Sequence, residues 1–98
     1  MAELNDFEKE LLAMFDKSKP VFFQKEVCDC EHEGDMRHAI TEVSEFIKPF
    51  GGKVTKHFWD GHDCGEAYVE CSVPYDKAQD VIESGFFFYD PWQVPPYG

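Results

Sequence analysis

The stretch Lys53 to Val73, KVTKHFWDGHDCGEAYVECSV, predicts a β-hairpin. Its first arm, residues 53–59, is rich in β-branched and aromatic residues, and its second arm, residues 66–73, alternates apolar and polar side chains. The loop between the arms holds two glycines, which can adopt positive φ, and two aspartates, which can accept hydrogen bonds from nearby backbone amides. We therefore expect two antiparallel strands joined by a Gly-rich loop, with the second strand half-buried.

Apolar periodicity on either side of this hairpin predicts helices at residues 4–17, 35–48 and 75–84, the second of them capped by Asp35. Two apolar runs, residues 21–28 and 86–89, predict strands. After the first helix the order is β-α-β-β-α-β, which resembles the arrangement of ferredoxin-like domains. The resemblance implies one antiparallel sheet with two helices on one face, to which the N-terminal helix is an addition.

Length and composition indicate one α+β domain. A chain of 98 residues with 43% hydrophobic residues and ten phenylalanines can bury one core without metal or disulfide support. We expect residues 1–92 to form this domain, with helix 4–17 packing on it, and the Pro-rich residues 93–98 to form a tail. The periodicity assigns five residues to the core, namely Val43, Ile47, Val69, Cys71 and Ile82.

The net charge is the most unusual property of the chain. Twenty acidic residues against nine lysines and arginines give a formal charge of −11, which repels nucleic-acid phosphates and anionic lipid surfaces. The N-terminus is acidic where a signal peptide begins with basic residues, and no apolar run approaches the roughly 18 residues of a membrane span. We expect a cytoplasmic protein that binds neither membranes nor nucleic acid directly and keeps its cysteines reduced.

The acids are concentrated in two segments that contain no lysine or arginine. The first segment holds Glu26, Asp29, Glu31, Glu33 and Asp35, and the second holds Asp60, Asp63, Glu66 and Glu70. A run of acids is commonly a solvated surface that confers solubility. Two such segments that meet in the fold would instead form one negative surface, with Trp59 and Tyr68 as aromatic anchors for a positively charged partner.

These patterns predict a non-enzymatic acidic inhibitor that occupies the basic nucleic-acid-binding surface of a partner protein, such as a nuclease. Carboxylates can stand in for phosphates on such a surface, and attraction between opposite charges accelerates association. The prediction covers anti-CRISPR-like inhibitors made by phages and immunity or antitoxin proteins. The sequence does not choose among them.

The alternative is a small zinc-stabilised domain. Its ligands would come from Cys28, Cys30 and His32 together with His62 and Cys64. The spacing is unfavourable, because Cys28 and Cys30 lie at a strand end where alternate residues are about 7 Å apart, and buried cysteine commonly serves as a small apolar residue. Cys64 and His62 are also poorly spaced for thiol catalysis, because residues two apart are seldom oriented for proton transfer. We therefore predict no metal and no enzymatic activity.

Overall fold

A computed structural model describes residues 4–27, 32–61 and 66–93. Within these ranges the chain is an α+β fold of three α-helices and a three-stranded antiparallel sheet. The element bounds are α1 Asp6–Ala13, β1 Val21–Glu26, α2 Glu33–Ile47, β2 Lys53–Trp59, β3 Ala67–Val73 and α3 Tyr75–Ser84. Short 3-10 turns at Lys48–Phe50 and Pro91–Gln93 complete the regular structure.

The hairpin predicted from residues 53–73 is confirmed, with β2 and β3 pairing antiparallel so that Trp59 lies opposite Ala67. A bulge between Val54 and Lys56 interrupts the register on β2. Because β1 pairs with the other edge of β3, the strand order is β1-β3-β2 and β3 is central. This position explains why β3 is the most deeply buried strand.

The fourth predicted strand, residues 86–89, is absent from the described part of the chain, and this prediction was wrong. Two consecutive side chains turn inward: the Phe86 ring stacks on Phe46 with centroids 3.9 Å apart, and the Phe87 ring stacks on Phe23 at 5.0 Å. A strand would send consecutive side chains to opposite faces. The Phe86 carbonyl accepts a hydrogen bond from the Lys25 ammonium at 3.3 Å. With three strands found, the complete ferredoxin-like topology is not confirmed.

The helices begin and end at positions that local hydrogen bonds determine. The first helix is shorter than residues 4–17, since the Asn5 carboxamide caps it by accepting from the Glu8 amide at 2.8 Å and it ends at Ala13. The second begins at Glu33, two residues earlier than predicted. Asp35 is therefore not its cap residue, although the Asp35 carboxylate accepts from the His32 backbone amide at 3.3 Å.

The core lies between one face of the sheet and the helices. Four of the five predicted core residues, Val43, Ile47, Val69 and Cys71, are fully buried. The fifth, Ile82, is only partly buried, and its neighbour Val81 takes the central position on α3. Leu12 of the first helix and Leu4, which precedes that helix, belong to the same cluster.

The sheet has two unlike faces. Strand residues of the apolar cluster, such as Phe23, Val69 and Cys71, share one face, and the buried residues of all three helices belong to the same cluster. The opposite face, called the open face below, consists of Phe22, Gln24, Glu26, Lys53, Thr55, Lys56, Phe58, Tyr68, Glu70 and Ser72. Tyr68 is buried but does not belong to the apolar cluster, which agrees with its place on this second face.

Candidate protein-binding surface

The strand order brings the two acidic segments to the same end of the sheet. Glu26, the last residue of β1, lies opposite Tyr68 near the start of β3, and the Val27 amide donates to the Ala67 carbonyl at 2.9 Å. The hairpin closes at this end too, where the Glu66 amide donates to the Asp60 carboxylate at 3.1 Å. Antiparallel pairing of β3 with both neighbours is the cause, since the end of β1 and the connection between β2 and β3 must then coincide.

The second helix adds further acids next to Glu26. It starts shortly after β1, so that Asp35 lines a groove of about 360 Å³ between the end of β1 and α2. The groove is lined by Lys25, Glu26, Val27, Asp35, His38, Ala39 and Glu42. Its only lysine is already engaged, because the Lys25 ammonium lies 4.4 Å from the centre of the Phe86 ring and donates to the Phe86 carbonyl. Three of the seven lining residues, Glu26, Asp35 and Glu42, carry carboxylates.

Local ion pairs compensate little of this negative charge. The Arg37 guanidinium lies 3.5 Å from the Glu33 carboxylate, and both side chains are about three-quarters exposed. His38 Nε2 lies 3.9 Å from the Glu42 carboxylate and carries a charge only when protonated. Exposed pairs of this kind contribute about 0–1 kcal/mol each to the stability of the fold. They leave the carboxylates accessible to a partner.

The two residues predicted as aromatic anchors, Trp59 and Tyr68, are more buried than side chains that insert into a partner protein. Trp59 is partly buried and packs against the apolar cluster, because its position opposite Ala67 puts it on the helix-covered face. Tyr68 lies on the open face but is only 3% exposed. The exposed rings of the open face are Phe58, which is 39% exposed and stacks on Tyr68 with centroids 5.6 Å apart, and Phe22, which is 47% exposed.

Glu70 occupies the middle of the open face, away from the other acids of its segment. Its carboxylate accepts a hydrogen bond from the Thr55 hydroxyl at 2.9 Å, and Gln24 lies directly opposite on β1. Gln24 is 6% exposed, and its side-chain oxygen is buried without a hydrogen-bond partner. A buried acceptor without a donor is uncommon and costs free energy in the isolated chain.

Sequence reasoning missed two exposed residues of the open face, Phe22 and Phe58, and one buried polar residue, Gln24. Alternation along β1 places Phe22, Gln24 and Glu26 on one face, but the sequence alone does not tell which neighbour they lie beside. Their relation to Tyr68 and Glu70 requires the register between β1 and β3. That register depends on contacts between residues far apart in the chain.

Several predicted residues lie outside the described ranges. These are Asp29, Glu31 and Asp63 of the acidic segments, Cys28, Cys30, His62 and Cys64 of the alternative zinc site, and residues 94–98 of the tail. The remaining zinc candidate, His32, is exposed, with its Nδ1 atom 3.6 Å from the Asp35 carboxylate. Among the residues described, no three histidine, cysteine or acidic side chains are grouped to hold a metal.

Cys71 lies on the covered face of β3 and is fully buried. Burial raises the pKa of its thiol to about 12, and the nearby Glu70 carboxylate contributes to this rise, while a hydrogen bond with the Phe23 backbone opposes it. Thiolate is the reactive form of cysteine. Cys71 is therefore a protonated core residue at neutral pH and not a nucleophile.

Comparison with models of protein families, with curated protein sequences and with solved structures gives no match to this chain. The described helices include none that is both long enough and apolar enough to cross a bilayer.

Proposed function

We propose that this chain is a non-enzymatic inhibitor that binds the basic nucleic-acid-binding surface of a partner protein and excludes nucleic acid from it. The acids at the common end of β1, α2 and the hairpin supply the negative charge, and the exposed rings of the open face supply apolar contact. This mode of action is shared by two classes of protein. The first is inhibitors of host-defence nucleases, including anti-CRISPR-like proteins, and the second is immunity or antitoxin proteins.

The observation that carries the proposal is the antiparallel pairing of β1 with β3. It places Glu26 beside the base of the hairpin, which supports treating the acids on both sides of this pairing as one surface. Phosphates along a nucleic acid are similarly a series of negative charges, so a surface built to bind them attracts carboxylates.

The proposal includes a cytoplasmic site of action, because nucleic-acid-handling enzymes of this kind act there. It also includes a ferredoxin-like arrangement of the fold. The order β1-β3-β2 with α2 between β1 and β2 supports this arrangement, since these elements follow one another as in its first part.

A capture experiment followed by competition tests the function. The tagged chain is incubated with a lysate of its source, bound proteins are identified by mass spectrometry, and each is purified and assayed for nucleic-acid binding with and without the chain. We expect one captured protein to lose nucleic-acid binding at a stoichiometric ratio. A captured partner that binds the chain and its nucleic acid simultaneously would contradict the proposal.

Charge variants make the test specific. Replacing Glu26, Glu33, Asp35, Asp60 and Glu66 by the corresponding amides keeps oxygen acceptors for the local hydrogen bonds while removing the charge. Association with the captured partner should slow and lose most of its salt dependence. The matched control is the quintuple variant Glu10→Gln, Asp16→Asn, Glu45→Gln, Asp76→Asn, Asp80→Asn, which removes five exposed acids outside both segments and should leave association nearly unchanged.

A further inference from the structure

One side of α1 is apolar and yet exposed. Phe7 is 67% exposed, and Met14, the C-cap residue of the helix, is 81% exposed. Leu11 lies between them in the sequence, is partly exposed and does not belong to the core cluster. The spacing of four and then three positions puts these three residues on one side of the helix, called the α1 stripe below. A different residue, Leu12, is buried against the domain.

The most exposed apolar side chains of the described chain are gathered at this helix and beside it. Besides Phe7 and Met14, the third is Phe88, which is 81% exposed. Phe88 lies two residues before Asp90, whose carboxyl group is near enough to Glu8 of α1 for the Glu8 charge to raise its pKa. The 3-10 turn that follows also contacts α1. Grouped apolar side chains at a surface commonly mark an interaction site, whereas single ones do not.

The charges at the two ends of α1 are opposite in sign. Asp6 lies in the first turn of the helix and Lys17 follows its C-terminal end, and both side chains are exposed. Neither forms an ion pair within the described part of the chain. If two copies of α1 pack antiparallel, Asp6 of each copy lies near Lys17 of the other. The positive end of each helix dipole then also lies beside the negative end of the other.

The same antiparallel arrangement matches the α1 stripe to itself. Positions 10 and 11 are midway between Phe7 and Met14, so they lie at the two-fold axis of the pair. Phe7 of one copy then packs on Met14 of the other, and the two Leu11 side chains meet at the axis. Glu10 borders the stripe, three positions after Phe7 and four before Met14, so it faces its own counterpart across the axis. This like-charge pair opposes the contact.

We infer that the α1 stripe is the contact surface of an antiparallel homodimer of this chain. A second copy fits because one segment supplies both the apolar side chains and the two opposite charges that flank them. The stripe contains no residue of either acidic segment, so the dimer would present the acidic surface twice. A pair of helices of eight residues buries less area than a standard interface, so we expect a Kd on the order of 100 μM.

Sedimentation equilibrium of the full chain measures this association. At about 0.15 M salt, charges interact over only about 8 Å, which limits the repulsion between two chains of net charge −11. Phe7→Gln and Met14→Gln should each weaken dimerisation by about tenfold or more, because symmetry removes two apolar contacts at once. Both side chains are exposed, so the melting temperature should hold. The matched control is Phe22→Gln, which removes an exposed ring from the open face and should leave the dimer unchanged.

Exchange of two charges tests the antiparallel order. Asp6→Lys and Lys17→Asp each bring like charges together in a homodimer, so each variant alone should dimerise about tenfold more weakly. An equal mixture of the two variants should form a heterodimer, because the introduced lysine meets the introduced aspartate and the original Lys17 meets the original Asp6. Native mass spectrometry of chains with different masses detects this species. The double variant should dimerise as the unchanged chain does.

Glu10→Gln distinguishes a second copy from another occupant. It removes the like-charge pair at the axis, so the dimer should become tighter by about threefold. A captured protein that requires Phe7 and binds the Glu10→Gln chain more weakly would assign the stripe to a basic partner and overturn the inference. A chain that remains monomeric at about 1 mM, or a mixture of the two charge variants without a heterodimer, would also overturn it. Capture and competition test the proposed function separately, since the stripe lies outside the acidic segments.

Discussion

Glu26 and Tyr68 lie directly opposite each other in the antiparallel pair β1–β3, although they are distant in the sequence. The pair joins the first residue of the first acidic segment to an aromatic residue of the second. Phe58 extends the same row across β2, where its ring stacks on Tyr68. Charge and exposed apolar area thus meet in one place, as in interfaces where aromatic anchors are surrounded by polar groups.

Substitutions at two neighbouring aromatic residues of β2, Phe58 and Trp59, should have different effects, one on partner binding and the other on stability. Phe58→Ala removes an exposed ring from the open face, so dissociation from the captured partner should become faster with little change in melting temperature. Trp59→Ala removes a ring packed against the core, so its main effect should be a loss of stability, measured by denaturant unfolding. A large loss of stability for Phe58→Ala together with faster dissociation for Trp59→Ala would contradict the placement of these two rings on opposite faces of the sheet.

Truncation of Ile47 should be among the most damaging changes to the fold. Its side chain is fully buried where α2 meets the sheet, so Ile47→Ala should lower the free energy of unfolding by about 2–5 kcal/mol. Urea unfolding monitored by circular dichroism measures this loss. Ile82→Ala is the control, and it should cost less because Ile82 is only partly buried. Equal losses would mean that burial does not distinguish the two sites.

Gly52 should not tolerate a methyl group. A Cβ atom there would lie 2.8 Å from the Ser72 carbonyl oxygen and 3.0 Å from Ile47 Cβ, so Gly52→Ala should cost about 1–3 kcal/mol of stability through a forced backbone shift. Gly34→Ala in the first turn of α2 is the matched control. The nearest atom to its new Cβ belongs to the His32 side chain, and alanine favours the helix, so stability should hold or rise.

Asp90 should make the fold less stable as the pH rises, which is opposite to the usual effect of a carboxyl group in a folded protein. Burial raises the pKa of its carboxyl group, and the Glu8 carboxylate adds to the rise. The folded state therefore binds the proton more strongly than the unfolded state, and stability falls as pH increases through the folded pKa. Asp90→Asn should raise the melting temperature at neutral pH.

This gain should vanish at a pH below the ordinary carboxyl pKa of 3.8, where both states are protonated. Differential scanning fluorimetry across the acidic range measures the effect. Asp80→Asn, which removes an exposed acid from α3, controls for the loss of one negative charge. A gain that persists unchanged at the acidic limit would refute the linkage.

Removal of metal should leave the fold intact. We expect native mass spectrometry of the purified chain to show no stoichiometric zinc and EDTA to leave the melting temperature unchanged. Binding energy at a structural zinc site is folding energy, so a large fall in melting temperature together with one zinc per chain would establish the alternative site at the four cysteine and histidine positions 28, 30, 62 and 64 with His32.

The sequence by itself determined the local elements. Alternation along residues 66–73 and the Gly- and Asp-containing loop before them predicted the hairpin, and apolar spacing predicted helices near the observed positions. These features depend on residues a few positions apart, so they can be read from the chain directly. The buried positions Val43, Ile47, Val69 and Cys71 follow from the same periodicity.

Only the tertiary structure decided how these elements meet. The aromatic run at residues 86–89 predicts a strand. Contacts of Phe86 with Phe46 and of Phe87 with Phe23 instead turn both side chains inward, and the described run does not pair with the sheet. The position of Trp59 on the covered face and the meeting of Glu26 with Tyr68 depend on strand register. Register is fixed by packing between distant residues, because a shift of one residue would exchange the two faces of a strand.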